Sequence, residues 1–158
     1  MNTVIKGTDV LYKYVQLAAL ILLVLTMSLL FVQTLLRFIL NIALPWAEEL
    51  CRYMCIWLSF LGGGIGIRKG VHVGFDLIKN RLPAKIMYPV NIIVHIIILV
   101  VASVLVRGGW ELTKQAVNQT SSSLGISMAW IYSSLIVGGI LIMIYGIESI
   151  LMRRAKTI

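Results

Sequence analysis

Residues 44–83 read LPWAEELCRYMCIWLSFLGGGIGIRKGVHVGFDLIKNRLP and place three kinds of sequence side by side. An acidic and aromatic segment with Glu48, Glu49 and Arg52 comes first, a glycine-rich apolar run follows, and a basic amphipathic segment ends the stretch. Charged side chains at the start of an apolar helix are costly in contact with lipid and are usually satisfied by protein. The stretch therefore predicts a membrane helix whose charged end holds a partner protein.

The composition places the whole chain in a membrane. Hydrophobic residues make up 59% of the 158 residues and charged residues 13%, which is more apolar surface than a soluble chain of this length can bury. About 20 apolar residues cross the hydrocarbon of a bilayer, and the apolar segments predict helices near residues 14–36, 46–67, 87–106 and 126–147. We therefore predict an all-α integral membrane protein with four transmembrane helices, a single membrane domain over residues 1–158 and no separate soluble domain.

The distribution of basic residues predicts the orientation. Segments on one side of the four predicted helices carry ten lysines and arginines, whereas those on the other side carry four. Basic residues favour the cytoplasmic side, so we predict cytoplasmic N and C termini and a cytoplasmic middle loop. The net charge of +8 is then a topology signal, because nucleic-acid binding needs a clustered basic face on a soluble module.

The middle loop has an amphipathic pattern. Val71, Phe75, Ile78 and Leu82 recur at spacings of four, three and four, and basic residues cluster at the end of the loop. This pattern indicates a short helix that lies in the cytoplasmic lipid interface. The alternative is an ordinary basic loop; either version contacts membrane lipids and performs no chemistry.

The second predicted helix carries small residues at repeated spacings of about four: Ser59, Gly62, Gly63, Gly64, Gly66 and Gly70. Small side chains let two helices approach closely in lipid. The partner helix could belong to this chain or to another protein. For the glycine run alone we favour packing within the chain.

The remaining candidates for chemistry point to no enzyme. Cys51 and Cys55 share a helix face, but a tetrahedral metal site would need two further ligands. His95 lies in the middle of the third predicted helix and is interpreted as a hydrogen-bonded interior residue. No histidine and acid are arranged to activate a hydroxyl nucleophile. We therefore predict that the chain is not an enzyme and binds no metal or cofactor.

The acidic residues also argue against a transport site within this chain. All of them lie near a predicted membrane boundary: Asp9, Glu48, Glu49, Asp76, Glu111 and Glu148. Ion-coupled transporters usually carry an acid or a broken helix near the middle of the bilayer. The spacing of three and four residues allows Arg52 to pair with either Glu49 or Glu48, which leaves the other acid for a partner.

Three sequence blocks together carry a family resemblance. W-x-E-E-L-x-R-Y (residues 46–53), W-L-x-F-L-G (residues 57–62) and R-x-G-x-H-V-x-x-D (residues 68–76) follow one another in this order. The combination resembles the small membrane subunit of tripartite ATP-independent periplasmic (TRAP) transporters. The length and the four predicted helices agree with that subunit along the whole chain.

The resemblance implies a bacterial or archaeal inner-membrane complex. In such a complex a periplasmic binding protein delivers an organic acid, such as a sialic acid or a C4-dicarboxylate, and a large membrane subunit imports it with sodium. The small subunit would act as a fixed scaffold, and sodium coupling would belong to the large subunit. We expect partner contacts at Trp46, Glu48, Glu49, Arg52, Gly62, Gly63, Gly66, His72 and Asp76.

Two other classes of function are weighed against this one. A stand-alone four-helix exporter would need a membrane-embedded glutamate in the first helix, where this chain offers only Gln33 and Thr34. A haem-binding membrane subunit would need two histidines at similar depth, and His72 and His95 differ in predicted depth.

Overall fold

The computed structural model describes the backbone of residues 2–69 and 84–156 and the side chains of residues 7–69, 90 and 92–150. These residues form four α-helices: α1 (Asn2–Leu40), α2 (Pro45–Lys69), α3 (Ala84–Ala116) and α4 (Ala129–Lys156). Each helix contains a segment that is long and apolar enough to cross a membrane. The predicted all-α fold with four transmembrane helices is therefore confirmed. The predicted interfacial helix, with His72 and Asp76, lies outside the described residues.

The helices extend beyond the apolar segments from which they were predicted, except that α4 begins at Ala129, three residues after its predicted start. The largest differences are at the start of α1, which begins at Asn2, and at the end of α3, which continues to Ala116. Arg107 ends the apolar run of α3, but a charged residue does not end a helix, and the sequence contains no proline after Pro89. Arg107 and Glu111 therefore lie on the helix itself and not in a loop.

The central helix of the bundle is α4, which packs against both α2 and α3, while α1 packs mainly against α2. Glycines allow the close approach of α4. A Cβ atom added at Gly138 would lie 2.6 Å from the Cβ of Phe60 on α2, and one added at Gly139 would lie 2.7 Å from a methyl group of Val106 on α3. The helices are thus arranged in space in the order α1, α2, α4, α3.

Much of the apolar surface faces outward. A small cluster is buried between α1, α2 and α4: Val15, Ala19, Leu61, Leu141 and Tyr145. Large apolar side chains of α1 and α3 remain exposed along most of both helices, as expected where lipid or another membrane protein surrounds the bundle.

The two connections described by the structure are compact. Asn41 ends α1 with a left-handed backbone (φ 52°), and the Ile42 N–H donates a hydrogen bond to the Leu36 carbonyl, which is the usual way to cap a helix C-terminus. Between α3 and α4, a single antiparallel bridge joins Thr120 to Ser127. The second connection is therefore an ordered loop, and hydrogen bonds from two of its amides to Glu49 place it near the first turns of α2.

Candidate partner interface

Glu49 joins the start of α2 to the loop between α3 and α4. The Tyr53 hydroxyl donates a hydrogen bond to Glu49 Oε1, and the backbone N–H groups of Ser123 and Leu124 donate to Oε2 over 2.9 and 3.2 Å. Hydrogen bonds to a carboxylate are stronger than those between neutral groups. Glu49 is therefore satisfied within the chain, and in the described part of the chain it forms no ion pair with Arg52.

Substitution of Glu49 is expected to release this loop. In Glu49→Gln the carboxylate that accepts both loop amides is lost, so the Ser123 and Leu124 amides should exchange hydrogen several-fold faster than in the unsubstituted chain. Hydrogen exchange read by mass spectrometry over the α3–α4 loop measures this change. Glu48→Gln is the matched control, because Glu48 is exposed; equal exchange in both variants would contradict the role given to Glu49.

Arg68 lies at the opposite end of α2 and joins three helices. Its Nη1 donates a hydrogen bond to the Thr8 carbonyl over 3.0 Å, and its Nη2 forms ion pairs with Asp9 and, over 3.0 Å, with Glu148. Thr8 also donates its hydroxyl hydrogen to Glu148 over 2.8 Å. The side chains of Arg68 and Glu148 are only 10% and 7% exposed, so this Arg68 cluster is an internal tie between α1, α2 and α4.

Two tyrosines enclose the guanidinium group of Arg68. Its Cζ atom lies 4.5 Å from the ring centroid of Tyr12 and 5.4 Å from that of Tyr145. The two rings meet edge to face at 6.1 Å. Cation–π contacts are strongest where water is excluded, so these rings add to the stability of the Arg68 cluster.

His95 extends this polar layer to α3. Its Nε2 atom lies 3.0 Å from the Ser149 hydroxyl on α4, and the residue is 6% exposed. The interpretation of His95 as a hydrogen-bonded interior residue is therefore confirmed. Its predicted position in the middle of the helix is wrong, because Ser149 directly follows Glu148 and places His95 near the Arg68 end of the bundle.

One face of α2 contacts no other helix in the described part of the chain. We call it the α2 row; its members follow at spacings of four, three, four, three and four residues: Glu48, Arg52, Cys55, Ser59, Gly62 and Gly66. A Cβ atom added at Gly62 or Gly66 would meet nothing within 4 Å, whereas one added at Gly64 would lie 3.1 Å from the Cβ of Leu141. Packing within the chain, which we favoured for the glycine run, is therefore right for Gly64 and wrong for Gly62 and Gly66.

The other predicted contact residues are distributed around α2. Trp46 is exposed at the first turn of the helix but lies outside the α2 row. Gly63 faces α4, where an added Cβ atom would lie 3.9 Å from Ile142. Glu48 and Arg52 are exposed and form no ion pair within the described residues. The exposed charges and small residues thus share one face of α2.

The cysteines are free thiols in the structure. Cys51 is buried, whereas Cys55 is exposed on the α2 row. Among the residues that the structure describes, no three histidine, cysteine or acidic side chains are grouped as metal ligands.

Sequence reasoning missed the roles of Glu49 and Arg68. Arg68 entered the sequence analysis only as one of the basic residues that predict orientation and as the start of the third sequence block, although Asp9, Arg68 and Glu148 share a predicted membrane boundary and alternate in sign. That coincidence of depth and opposite charge is the signal that could have identified the Arg68 cluster.

Comparison with known proteins gives consistent matches. Residues 26–156 match the family described as tripartite ATP-independent periplasmic transporters, DctQ component. A putative TRAP transporter small permease protein of Haemophilus influenzae is 25% identical over 130 residues, which cover 82% of this chain and 81% of that protein. The sialic acid TRAP transporter small permease protein SiaQ of Vibrio cholerae is 29% identical over 114 residues, or 72% of this chain and 66% of SiaQ.

A third relative is much longer than this chain. The sialic acid TRAP transporter permease protein SiaT of Haemophilus influenzae is 30% identical over 122 residues, which are 77% of this chain but 20% of SiaT. In SiaT the matching segment is therefore continuous with a larger polypeptide.

Proposed function

Because the chain belongs to the DctQ component family of tripartite ATP-independent periplasmic transporters, we propose that it is a scaffold subunit that braces a large membrane transport subunit. The chain is a multi-pass transport component of the inner membrane and not an enzyme. The proposed complex imports an organic acid, such as a sialic acid or a C4-dicarboxylate, that a periplasmic binding protein delivers. Sodium coupling belongs to the large subunit, and this chain binds no cofactor.

The α2 row is the observation that carries this proposal. Lipid gives no reason to place glycines on an exposed helix face, whereas close helix–helix contact does, because small residues let backbones approach. Glu48 and Arg52 at one end of the row supply charges that a partner can recognise. In SiaT the segment that matches this chain is part of one long polypeptide, which supports a large membrane protein as the partner.

The internal ties support a rigid role. Glu49 fixes one end of the bundle, and the Arg68 cluster with His95 fixes the other. Glycines of α4 bring its backbone close to α2 and α3 between these ends. A bundle held in this way suits a static support beside a moving subunit. The sialic acid relatives SiaQ and SiaT support the organic-acid class of substrate.

Filling the α2 row is expected to weaken the complex without unfolding the chain. In the double variant Gly62→Leu with Gly66→Leu, recovery of the co-expressed large subunit on an affinity tag of this chain should fall about tenfold, which corresponds to about 1.4 kcal/mol, because close helix packing is lost. Sodium-driven uptake by proteoliposomes that contain both subunits, with the binding protein added, should fall in parallel.

Two further glycine variants are the controls. Gly7→Leu introduces the same side chain where an added Cβ atom also meets nothing within 4 Å, and it should leave recovery unchanged. Gly64→Leu should destabilise the isolated chain, because Gly64 packs against Leu141. Uptake by this chain alone, or normal recovery with the filled α2 row, would overturn the proposed scaffold.

A further inference from the structure

The outward face of α3 carries two charged residues that the bundle does not cover. The side chains of Arg107 and Glu111 are 87% and 62% exposed, and Arg107 Nε lies 3.7 Å from Glu111 Oε1. This separation is longer than a hydrogen bond. Within the described residues this ion pair is the only contact that either charge makes, so most of their hydrogen-bonding capacity is unused.

Helix contacts give the depth of Arg107 in the bundle. Gly139 of α4 lies against Val106 of α3, and the adjacent Gly138 lies against Phe60 of α2. Arg107, which follows Val106, is therefore level with Phe60. Glu111 lies one turn closer to the end of the bundle that carries Glu49, which is about 6 Å along the helix.

Because Arg107 is level with Phe60, the position of Phe60 along α2 gives the depth of Arg107 in the membrane. Phe60 follows Glu48 by twelve residues and precedes Arg68 by eight, which correspond to about 18 and 12 Å along a helix. Glu48 and Arg68 are thus about 30 Å apart, which equals the thickness of the hydrocarbon. Arg68 is joined to charged residues of α1 and α4 at the same level, so three helices share this boundary. With the two hydrocarbon boundaries placed at Glu48 and Arg68, Arg107 lies near the middle of the hydrocarbon.

Lipid is a poor environment for these two charges. Ionisable residues within a membrane usually face a bundle interior or a water-filled cavity, but the interior face of α3 is formed by Ala102, Gly109 and Ala116, which are buried. Arg107 and Glu111 lie on the opposite face, beside the exposed Val104. The distance from Arg107 to either boundary is greater than the reach of an arginine side chain, so it cannot place its charge at the headgroups.

On the basis of the scaffold function proposed above, we propose that Arg107 and Glu111 bind a transmembrane helix of the large subunit. That helix carries an acidic or amide acceptor for Arg107 and a hydroxyl, amide or basic donor for Glu111, at matching depth. The ion pair is then part of a polar contact enclosed by protein. Together with the α2 row, α3 provides a second site of attachment.

A second copy of this chain fits the same face less well. Two copies in one membrane have the same orientation, so a two-fold axis along the membrane normal would place their α3 helices parallel and at equal depth. Arg107 would then oppose Arg107, and Glu111 would oppose Glu111. Like charges opposed in this way repel, which favours a different partner with complementary groups.

The double variant Arg107→Leu with Glu111→Leu tests the proposal. The isolated chain should be at least as stable as the unsubstituted chain, because lipid then faces an apolar surface. Recovery of the co-expressed large subunit should nevertheless fall about tenfold, because the polar groups of the partner lose their counterparts. The control is Ser28→Leu with Thr34→Leu, which replaces exposed polar residues of α1 and should leave recovery unchanged.

The outcomes separate this proposal from the scaffold function. Unchanged recovery of the large subunit with the Arg107 and Glu111 variant would overturn the α3 contact while leaving the scaffold proposal intact. Failure of the unsubstituted chain to bind the large subunit would overturn both. A photoreactive residue in place of Val104 should cross-link to the large subunit, whereas cross-linking of two copies of this chain, or to lipid alone, would overturn the assignment of the partner.

Discussion

Arg68→Met is expected to destabilise the isolated chain by about 3–5 kcal/mol, because the buried carboxylate of Glu148 loses the positive charge that compensates it. The guanidinium group also holds Asp9 and the Thr8 carbonyl on α1, so the contact of α1 with the other two helices weakens at the same end. Methionine keeps the apolar length of the side chain, which limits the change to the lost charge and hydrogen bonds. Transport by the assembled complex should fall with the amount of folded chain.

A double variant distinguishes the loss of a charge partner from a general loss of packing. Arg68→Met with Glu148→Met removes both buried charges, and replacement of a whole buried ion pair by apolar residues is often nearly neutral. The double variant should therefore be more stable than Arg68→Met. Lys69→Met is the matched control, because Lys69 is the adjacent exposed cation, and it should behave like the unsubstituted chain.

The two cysteines provide the measurement of stability. In a Cys55→Ser background, Cys51 is the remaining thiol, and it is 3% exposed. Its reaction with a thiol-reactive fluorophore during heating in detergent therefore reports unfolding. Equal midpoint temperatures for Arg68→Met and the unsubstituted chain would contradict a stabilising role for the Arg68 cluster.

The four helices could be predicted because each is marked by its own local sequence. A run of about 20 apolar residues has few alternatives to a transmembrane helix. The helix ends were less predictable, since hydropathy detects where an apolar run ends and not where the hydrogen-bonded backbone ends. The continuation of α3 through Arg107 to Ala116 is the clearest case.

Local sequence patterns could not predict the contacts between helices. Glu49 binds amides of residues more than 70 positions away, and Arg68 joins residues from both ends of the chain. Glycine spacing indicated close helix packing, but it could not separate Gly64, which packs against α4, from Gly62 and Gly66, which lie on the open face. That separation depends on the side of α2 that α4 occupies, which follows from the assembled bundle.

The second substitution for which we expect a large loss of stability is at Gly138. Gly138→Leu is expected to separate α4 from α2, because even the first added carbon would lie 2.6 Å from the Cβ of Phe60 and 3.1 Å from its ring. A Cβ position cannot move by a change of rotamer, so the backbones of both helices must shift. Overpacking of this kind costs about 1–3 kcal/mol and occasionally more.

The central place of α4 makes this substitution more damaging than the same change elsewhere. On its other side, Gly139 is enclosed by Val106 and the Ala102 carbonyl of α3, so α4 cannot move away from Phe60 without a second clash. Gly138→Leu should therefore lower the midpoint temperature in the Cys51 assay, whereas Gly66→Leu should not, because Gly66 faces open space. The two variants weaken binding of the large subunit for different reasons. Gly66→Leu weakens binding while the chain stays folded, whereas Gly138→Leu weakens binding only through unfolding. Equal stability of these two variants would show that α4 does not hold α2 and α3 together.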